Sequence, residues 1–275
     1  MSDINWINVS GGKDSTALLL WTLEEGLPNC RYVYADTQHE HPLVYGYLDY
    51  LEKETGVTIE RVKSEGMLEL CLRKRRFPSA KARFCTEELK VYPLAKHMDA
   101  EEDCDADSPH SVWVGIRREE SPARAKLTET IYSHVKYPPR KTSWQLRHHP
   151  LLDWYSQDVF EIHDRFGIEP NPLYKMGMHR VGCFPCIMTR YNELRTMFKR
   201  FPEVIDKIEE WEKKVSDAQL EHKGETSNPT LFALADLPDD IKGIRDFAGY
   251  LDRGDEIPGL EQDVQGCMSI YGLCE

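Results

Sequence analysis

The residues best suited to chemistry form a short glycine-containing stretch near the start of the chain. They are Ser10, Gly11, Gly12, Lys13, Asp14 and Ser15. Two glycines let the backbone approach a ligand without a Cβ in the way, and the first N–H groups of a following helix have no partner inside that helix. These donors, the helix dipole and the Lys13 ammonium are typical of a pocket for phosphate or pyrophosphate. We call residues 10–15 the phosphate loop and predict that it binds a nucleotide.

Cysteine supplies the second set of candidate groups, since the chain of 275 residues contains eight cysteines. Cys183 and Cys186 are close enough in sequence to bind one metal centre, and Cys85, Cys267 and Cys274 could add ligands through the fold. Three or four thiolates from distant segments suit an iron–sulfur cluster or a tetrahedral zinc. Spacing alone leaves two alternatives open: a thioredoxin-type redox dithiol activated at a helix start, and buried free thiols.

The hydrophobic pattern around the phosphate loop predicts the elements that position it. An apolar run over residues 4–9 precedes the loop and an apolar helical pattern follows it, so the loop joins a buried strand to a helix. Similar patterns predict further strands at 30–35, 57–62 and 111–116, and helices at 44–55, 67–76 and 86–97, with an acidic loop at 100–108. Strands separated by helices favour a doubly wound, Rossmann-like α/β fold with a mainly parallel sheet.

Three polar residues follow the carboxyl ends of predicted strands: Ser10, Asp36 and Arg117. Open α/β sheets bind ligands at this edge, where the strand order reverses, so we expect all three around one crevice. From residue 191 the pattern becomes helical and charged. We therefore predict a nucleotide-binding domain over residues 1–190 and a helical C-terminal region over 191–275 with a cysteine-containing tail.

Composition favours an enzyme of the cytoplasm. A net charge of -12 argues against a globally basic protein that coats polyanions. The sequence has neither an apolar run of about 18 residues nor a charged-then-apolar leader, so we expect no membrane contact. In a reducing cytoplasm, cysteines are more often metal ligands or catalytic groups than disulfides.

An ordered set of motifs resembles the phosphoadenosine phosphosulfate (PAPS) reductase family. The set comprises residues 10–15, 36–37, 83–85 with 89–90 and 93–94, 115–121 with 124, 150–154 with 158–159, 171–174 and 182–186. The phosphate loop itself resembles that of the ATP pyrophosphatases, which cleave ATP between its α and β phosphates to adenylate a substrate. The family is a branch of the adenine nucleotide α hydrolase fold. It includes sulfonucleotide reductases and the ATPase component of DNA phosphorothioation systems.

Three departures from the sulfonucleotide reductases favour the phosphorothioation branch. Those reductases have a degenerate phosphate loop and end in Glu-Cys-Gly-Leu-His, whereas this loop is intact and the chain ends in Gly272, Leu273, Cys274 and Glu275. The cluster-bearing reductases also have adjacent cysteines where this chain has Phe84 and Cys85. The resemblance thus implies ATP-dependent adenylation coupled to sulfur transfer. The alternatives are a phosphoadenylyl-sulfate or adenylyl-sulfate reductase with Cys274 as nucleophile, and a nucleotide-binding sensor without turnover.

The resemblance also implies residue roles. The phosphate loop would hold the β and γ phosphates, and Asp14 or Asp36 would place Mg²⁺. Arg117, Arg118 and Arg124 would meet the α-phosphate or the departing charge, the alternative being surface ion pairs with Glu119 or Glu120. A [4Fe-4S] cluster would be bound by Cys85, Cys183 and Cys186 with Cys274 or Cys267. The catalytic set is then Lys13, Arg117, Arg124 and Cys274.

The expected partners are ATP, a sulfur acceptor and a sulfur donor. Two basic stretches, residues 73–76 with Lys81 and Arg83 and residues 140–141 with 147–149, either position a nucleic-acid backbone or form solvated faces. The acceptor is therefore a nucleic acid or a small molecule, and the donor a cysteine desulfurase or another sulfur carrier. A homodimer is also compatible with the resemblance.

Overall fold

Strands and helices alternate along most of the chain in the computed structural model, which describes residues 4–232 and 238–253. The strands are β1 Asn5–Asn8, β2 Cys30–Asp36, β3 Ile59–Lys63, β4 His110–Trp113, β5 Thr130–Tyr137 and β6 Lys141–His148. The helices are α1 Lys13–Glu24, α2 Pro42–Thr55, α3 Met67–Lys74, α4 Phe84–Thr86, α5 Tyr92–Glu101, α6 Ser156–Phe166, α7 Pro172–Lys175, α8 Tyr191–Arg200, α9 Glu203–Lys223 and α10 Ile244–Arg253. Cys267 and Cys274 lie outside the described residues.

The six strands form one sheet in the order β3-β2-β1-β4-β6-β5. The neighbours β1, β2, β3, β4 and β6 pair in parallel, and β5 pairs antiparallel with β6. The strand order reverses between β1 and β4, so the connections that follow these two strands lead to opposite faces of the sheet and open a crevice between them. The predicted fold class, a doubly wound and mainly parallel α/β sheet, is confirmed.

Both faces of the sheet are covered by apolar side chains. The adjacent β1 residues Trp6 and Ile7 are fully buried but belong to different hydrophobic clusters, because successive side chains of a strand point to opposite faces. Helices α1, α2 and α6 contribute to the cluster of Ile7, and α5 contributes to that of Trp6. This two-sided burial explains why the β1 sequence is apolar rather than alternating.

The helix predicted over residues 86–97 is longer in the structure. Helix α4 continues through a π-helical turn, Glu87–Val91, into α5, so regular structure extends from Phe84 to Glu101. The predicted end of α2 is confirmed, since Gly56 closes it in the left-handed conformation at φ 75°. The acidic loop therefore starts at about Glu102, and Cys85 lies in a helical segment.

Sequence analysis missed the β5–β6 hairpin, and this omission changes one prediction. Strand β6 joins the sheet beside β4. This position buries Arg147, which is on β6, and His149, which directly follows the strand. The Nε of Arg147 donates to Ser133 Oγ at 3.0 Å, and His149 Nδ1 lies 2.7 Å from the Thr128 carbonyl. The prediction that residues 147–149 belong to an exposed basic patch is therefore wrong for these two side chains.

Helices α8, α9 and α10 lie between residues 191 and 253, within the region predicted to be helical. Their apolar residues Leu194, Ile208 and Phe247 belong to the same hydrophobic cluster as Leu18 of α1. Within the described residues, no helix combines the length and the apolar character needed to cross a membrane.

Candidate active site

The phosphate loop joins β1 to α1, as predicted. Gly11 has a φ of 79°, and a Cβ there would lie 3.2 Å from Val44 Cγ1, so both conformation and space favour glycine. The Ser15 hydroxyl lies inside the loop, where it accepts from the Ser10 N–H at 3.0 Å and donates to the Gly12 carbonyl at 3.1 Å. Ser15 thus shapes the loop from within, while Ser10 lines the adjoining crevice.

Three side chains from α6 and α7 hold the loop from outside. Asn171 donates from Nδ2 to the Gly11 carbonyl at 3.1 Å, and the Tyr174 hydroxyl accepts from the Lys13 N–H at 2.9 Å. His163 Nε2 lies 3.0 Å from the Lys13 carbonyl. Asn171 is fully buried and also caps α7 by accepting from the Leu173 N–H at 3.1 Å. The loop backbone is therefore fixed by a second layer of hydrogen bonds.

One buried carboxylate pairs with two cations at the start of α1. Asp14, which has no exposed side-chain surface, contacts Lys13 Nζ through Oδ2 at 2.5 Å and Arg117 Nε through Oδ1 at 2.5 Å. Burial opposes the charge on Arg117, but the nearby Asp14 carboxylate outweighs it, so the net effect is a raised pKa of Arg117. The structure thus brings Arg117 to the phosphate loop.

The arginines predicted to contact phosphate have different environments. Arg117 also pairs with Glu119, and Arg124 pairs with Glu120, so the predicted ion pairs are present. They are not surface pairs, because Arg117 and Arg124 are 2 % and 1 % exposed. Arg117 lies at the N-terminal end of α1 through its contact with Asp14, whereas Arg124 is held within its own segment by Glu120.

Arg118 is held by a different set of acceptors. Its Nε contacts Asp153 Oδ1 at 2.5 Å, and its Nη1 donates to the Ala125 and Leu127 carbonyls at 3.0 and 2.6 Å. These contacts fix the segment around Arg124, so Arg118 acts here as a support for that segment rather than as a free cation. Arg118 remains only a sequence-based candidate for phosphate binding.

Gly115 allows the segment after β4 to approach the phosphate loop. A Cβ at this position would lie 2.6 Å from the Asp14 carbonyl oxygen, a contact that requires backbone movement. We predict that Gly115→Ala lowers the free energy of unfolding by about 1–3 kcal/mol through overpacking and weakens nucleotide binding by displacing Asp14. Chemical denaturation and nucleotide titration would measure both effects.

Gly46→Ala provides the matched control for that substitution. Gly46 lies within α2, and a Cβ there would have no neighbour within 4 Å. Alanine should therefore stabilise the helix by about 0.5–1 kcal/mol without affecting nucleotide binding. Equal behaviour of the two variants would contradict the close approach of Gly115 to the loop.

The two predicted magnesium ligands differ in how their oxygens are used. Both carboxylate oxygens of Asp14 are engaged by cations. Asp36, at the end of β2, accepts from the Gln38 N–H at 2.9 Å and the Tyr45 hydroxyl at 2.8 Å through Oδ1 alone. Asp36 Oδ2 accepts no hydrogen bond from the described residues, which makes Asp36 the better candidate for a cation ligand.

Two neighbouring cavities lie beyond the carboxyl ends of β1 and β2. The first, which we call the nucleotide crevice, is lined by Asn8, Val9, Ser10, Val33, Tyr34, Ala35, Glu40, Lys90 and Gly182. The second, the cysteine cavity, is lined by Thr37, Met67, Arg83, Cys85, Thr86, Leu89, Lys90, Cys183, Cys186, Ile187 and Met188. The three described cysteines of the predicted cluster are thus brought together. Lys90, 6 % exposed, lines both cavities.

Polar contacts surround Cys183 at the boundary of the two cavities. Its Sγ lies 3.6 Å from Thr37 Oγ1 and 3.8 Å from Glu40 Oε1, and residues 40 and 183 form a β-bridge. The Cys186 sulfur accepts from the Met188 N–H at 3.5 Å. Residues 183–186 lie in a turn before α8, so the helix start that would activate a thioredoxin-type dithiol is absent at Cys183.

A buried histidine supports the cysteine turn from behind. His39 Nε2 lies 3.0 Å from the Pro185 carbonyl and Nδ1 lies 3.2 Å from Lys207 Nζ. Burial, aided by the Lys207 charge, lowers the pKa of His39 to about 3, so the ring is neutral at neutral pH. A neutral ring with its proton on Nε2 donates to Pro185 and accepts from Lys207 through Nδ1. Helix α9 is thereby tied to the cysteine turn.

The first basic stretch divides into cations that form ion pairs and cations that line a further cavity. Arg73 contacts Glu65 and Glu88, and Lys74 contacts Glu88, which is the solvated ion-pair alternative. A separate cavity is lined by Arg76, Lys81, Ala82, Arg83, Phe84, Thr86 and Glu87. It shares Arg83 and Thr86 with the cysteine cavity, so a cationic surface adjoins the three cysteines.

Sequence analysis assigned no role to several residues of this site. Asn171, Tyr174, Lys90 and Gly115 belong to the recognised motifs, but their contacts depend on the fold. An asparagine followed by proline is a helix-start signal that indicates the α7 cap. His163 offered no comparable signal, because it reaches the loop only through the packing of α6 on α1.

Comparison with protein families gives one match that covers most of the chain. The sequence model described as the phosphoadenosine phosphosulfate reductase domain matches residues 4–189. The match includes the phosphate loop, the Gly115–Arg117 segment and Cys85, Cys183 and Cys186. It therefore spans both cavities.

Individual relatives cover this chain to different extents. An uncharacterised protein of Escherichia phage 186 is 36% identical, over 100% of this chain and 97% of its own length. An uncharacterised protein of Methanocaldococcus jannaschii is 30% identical over 73% of this chain and 39% of its own length. An adenosine 5'-phosphosulfate reductase of Anoxybacillus flavithermus is 31% identical, but over only 40% of each chain.

Solved structures are more distant. Phosphoadenylyl-sulfate reductase of Candida auris, in a phosphate complex, has 16% sequence identity and a TM-score of 0.49, covering 68% of this chain and 83% of its own. FMN adenylyltransferase of Candida glabrata, complexed with FAD and pyrophosphate, has 16% identity and a TM-score of 0.43, covering 66% of this chain and 55% of its own.

Proposed function

Because the chain belongs to the phosphoadenosine phosphosulfate reductase family, we propose that it is an enzyme that adenylates an acceptor with ATP and then transfers sulfur to it. The adenylyl group would come from cleavage of ATP between its α and β phosphates. The sulfur would reach the acceptor from the cysteine cavity.

The observation that carries this proposal is the shared wall of the two cavities. Lys90 lines both the nucleotide crevice, which contains Ser10, and the cysteine cavity. Cys183, in the second cavity, contacts Glu40, which lines the first. An acceptor activated in the crevice would thus be within a short distance of a sulfur group.

The chemistry follows two displacements. An acceptor oxygen attacks the α-phosphorus, the α–β bridging bond breaks, and pyrophosphate leaves with the electron pair. A sulfur nucleophile then forms a bond to the activated atom, and AMP leaves with the former acceptor oxygen. The second step is redox-neutral when sulfur arrives as sulfide, whereas a persulfide needs two further electrons from a thiol.

The phosphate loop suits the first displacement. Its backbone is held by Asn171 and Tyr174, so donors directed at phosphate would need little reorganisation. Lys13 and Arg117 supply positive charge beside it, where charge builds up on the leaving pyrophosphate. Asp36 would hold Mg²⁺ through the carboxylate oxygen that accepts no hydrogen bond from the described residues.

The cysteine cavity suits a thiolate-bound cluster. Cys85, Cys183 and Cys186 come from two distant segments, and Met67, Leu89, Ile187 and Met188 supply an apolar surround. These three cysteines would hold a [4Fe-4S] cluster, with Cys267 or Cys274 as the fourth ligand. If only Cys85, Cys183 and Cys186 bind it, the iron without a cysteine ligand would be open and would supply a position for sulfur before transfer.

The acceptor is proposed to be anionic. The cavity lined by Arg76, Lys81 and Arg83 adjoins the cysteine cavity and favours phosphate groups. A nucleic acid or a phosphorylated small molecule meets this requirement. The donor would be a cysteine desulfurase or another sulfur carrier.

A second candidate function is reduction of a sulfonucleotide. It is favoured by the similarity to adenosine 5'-phosphosulfate reductases, of which the protein from Anoxybacillus flavithermus is 31% identical over 40% of this chain. In that case Cys274 would attack the sulfate sulfur and release the nucleotide. A nucleotide-binding sensor without turnover is the third candidate.

One assay separates these functions. Anaerobically purified protein is incubated with Mg²⁺ and ATP labelled at the α-phosphate, with water as the adenylyl acceptor, and AMP and pyrophosphate are measured. Parallel reactions contain phosphoadenosine phosphosulfate or adenosine phosphosulfate with a reduced dithiol, and sulfite is measured. We expect AMP with equimolar pyrophosphate from ATP and no sulfite.

Sulfite production without ATP cleavage would replace the proposal with the reductase. ADP with inorganic phosphate would show cleavage between the β and γ phosphates and would contradict the proposal. Saturable ATP binding with neither product would identify a sensor.

A further inference from the structure

A second group of side chains of the types that bind metals lies at the end of the sheet opposite to the phosphate loop. Asp99 of α5, Cys104 of the acidic loop and His110 at the start of β4 each offer one ligand atom, and all three atoms lie within 4.8 Å of one another. The phosphate loop follows the carboxyl end of β1, whereas His110 begins the parallel strand β4. The group is therefore at the opposite edge of the sheet.

From this convergence we infer that Asp99, Cys104 and His110 form a zinc site. Oxygen, sulfur and imidazole nitrogen are the three ligand types that Zn²⁺ accepts in proteins, commonly with water as a fourth ligand. The mixed set disfavours Ca²⁺ and Mg²⁺, which prefer oxygen ligands alone. The site is independent of the proposed function.

The surroundings of the three ligands resemble an outer coordination shell. His110 Nδ1 lies 3.1 Å from Glu102 Oε1, which orients Nε2 towards Asp99 Oδ1 at 2.7 Å. Glu102 would thus orient the ring as an outer-shell carboxylate does when the opposite ring nitrogen binds a metal.

The remaining contacts fix the other two ligands. Tyr137 donates to Asp99 Oδ2 at 2.6 Å, and Ser143 Oγ and Cys104 Sγ donate to Asp99 Oδ1 at 2.8 and 3.3 Å. The Cys104 sulfur also accepts from the Trp144 N–H at 3.4 Å. His110 is fully buried, and the Asp99 and Glu102 side chains are 13% and 18% exposed, so solvent can supply the fourth ligand.

Zinc here would join three elements of the sheet. Asp99 belongs to α5, His110 to β4, and the contacting residues Tyr137 and Ser143 to the β5–β6 hairpin. The acidic loop between α5 and β4 would be closed by the metal. We therefore expect zinc to stabilise this edge of the fold without taking part in nucleotide chemistry.

Cobalt(II) provides the direct test. The full chain with Cys85, Cys183, Cys186, Cys267 and Cys274 changed to serine lacks the competing thiols of the predicted cluster. Titration of this variant with Co²⁺ should give a tetrahedral visible spectrum and a thiolate-to-cobalt absorption band at one metal per chain, and Zn²⁺ should displace the cobalt. Adding Cys104→Ser should remove the thiolate band.

A second measurement uses the otherwise unmodified protein. Zinc content after purification should fall by one ion per chain in Cys104→Ser but not in the matched control Cys30→Ser, whose cysteine lies at the start of β2. Glu102→Gln should weaken zinc binding by about 10- to 100-fold, as for other outer-shell changes. Equal zinc content in Cys104→Ser and Cys30→Ser, or a cobalt spectrum that survives Cys104→Ser, would overturn the site and leave a hydrogen-bonded cluster.

Discussion

Lys13→Ala should lower the rate of AMP and pyrophosphate formation from ATP by about 10²- to 10³-fold, the usual cost of removing one preorganised group that stabilises developing charge. Lys13 begins α1 and contacts Asp14, which in turn contacts Arg117. Its ammonium is therefore positioned beside the loop by a buried carboxylate. Without it, pyrophosphate would leave with one less cation to stabilise its charge.

Lys53→Ala is the matched control for the loss of a lysine. Lys53 is on α2, its side chain is 81% exposed, and it pairs only with Glu54 at 3.1 Å. The same substitution there should leave turnover and thermal stability unchanged. Wild-type turnover by Lys13→Ala would refute the assignment of residues 10–15 to phosphate binding.

A loss of folding must be distinguished from a loss of chemistry in Lys13→Ala. The substitution removes one of the two cations that contact Asp14, but Arg117 remains. The fold should therefore persist, and circular dichroism with the melting temperature would verify this. Any cluster absorption should also be retained, because the cysteine cavity shares no lining residue with the phosphate loop.

The parts of this site that sequence predicted are those encoded locally. The phosphate loop is recognisable because its two glycines stand between an apolar strand and a helix, and that pattern needs no knowledge of distant residues. Of the five cysteines grouped from sequence, Cys85, Cys183 and Cys186 line one cavity, and the other two lie outside the described residues. Both predictions identify residues of the site, not the contacts between them.

The parts that sequence missed depend on packing between distant segments. The ion pair of Asp14 with Arg117 forms because the turn after β4 meets the start of α1. The burial of Arg147 and His149 follows from the position of β6 beside β4, which neither residue reveals by type. Residue type alone does not distinguish a charged side chain on a buried strand from one on a surface helix.

The wall between the two cavities explains how one site could perform two steps. Lys90 is buried and lines both cavities, so its ammonium would attract anions bound in either one. Glu40 contacts Thr37 at 2.7 Å and Cys183 at 3.8 Å. The wall thus contains a cation for phosphate and an acceptor for a thiol proton, which are the charges that adenylation and sulfur transfer each need.

Cys183→Ala should abolish sulfur transfer and cluster binding while retaining cleavage of ATP to AMP and pyrophosphate. Cys183 lies in the cysteine cavity, whereas the residues proposed to bind phosphate surround the loop on the other side of Lys90. The two steps should therefore be separable by mutation. Iron content and visible absorption after anaerobic purification would measure the first effect, and AMP formation would measure the second.

Cys30→Ala is the corresponding control, because Cys30 is partly buried at the start of β2 and donates to the Leu27 carbonyl at 3.2 Å. It should retain both iron and turnover. Zinc that is lost only in Cys104→Ser would be bound by Asp99, Cys104 and His110. Its loss would give no information about metal binding in the cysteine cavity. A Cys183→Ala protein with wild-type iron would exclude Cys183 as a ligand, and one that loses AMP formation together with iron would show that the cavities act as a single unit.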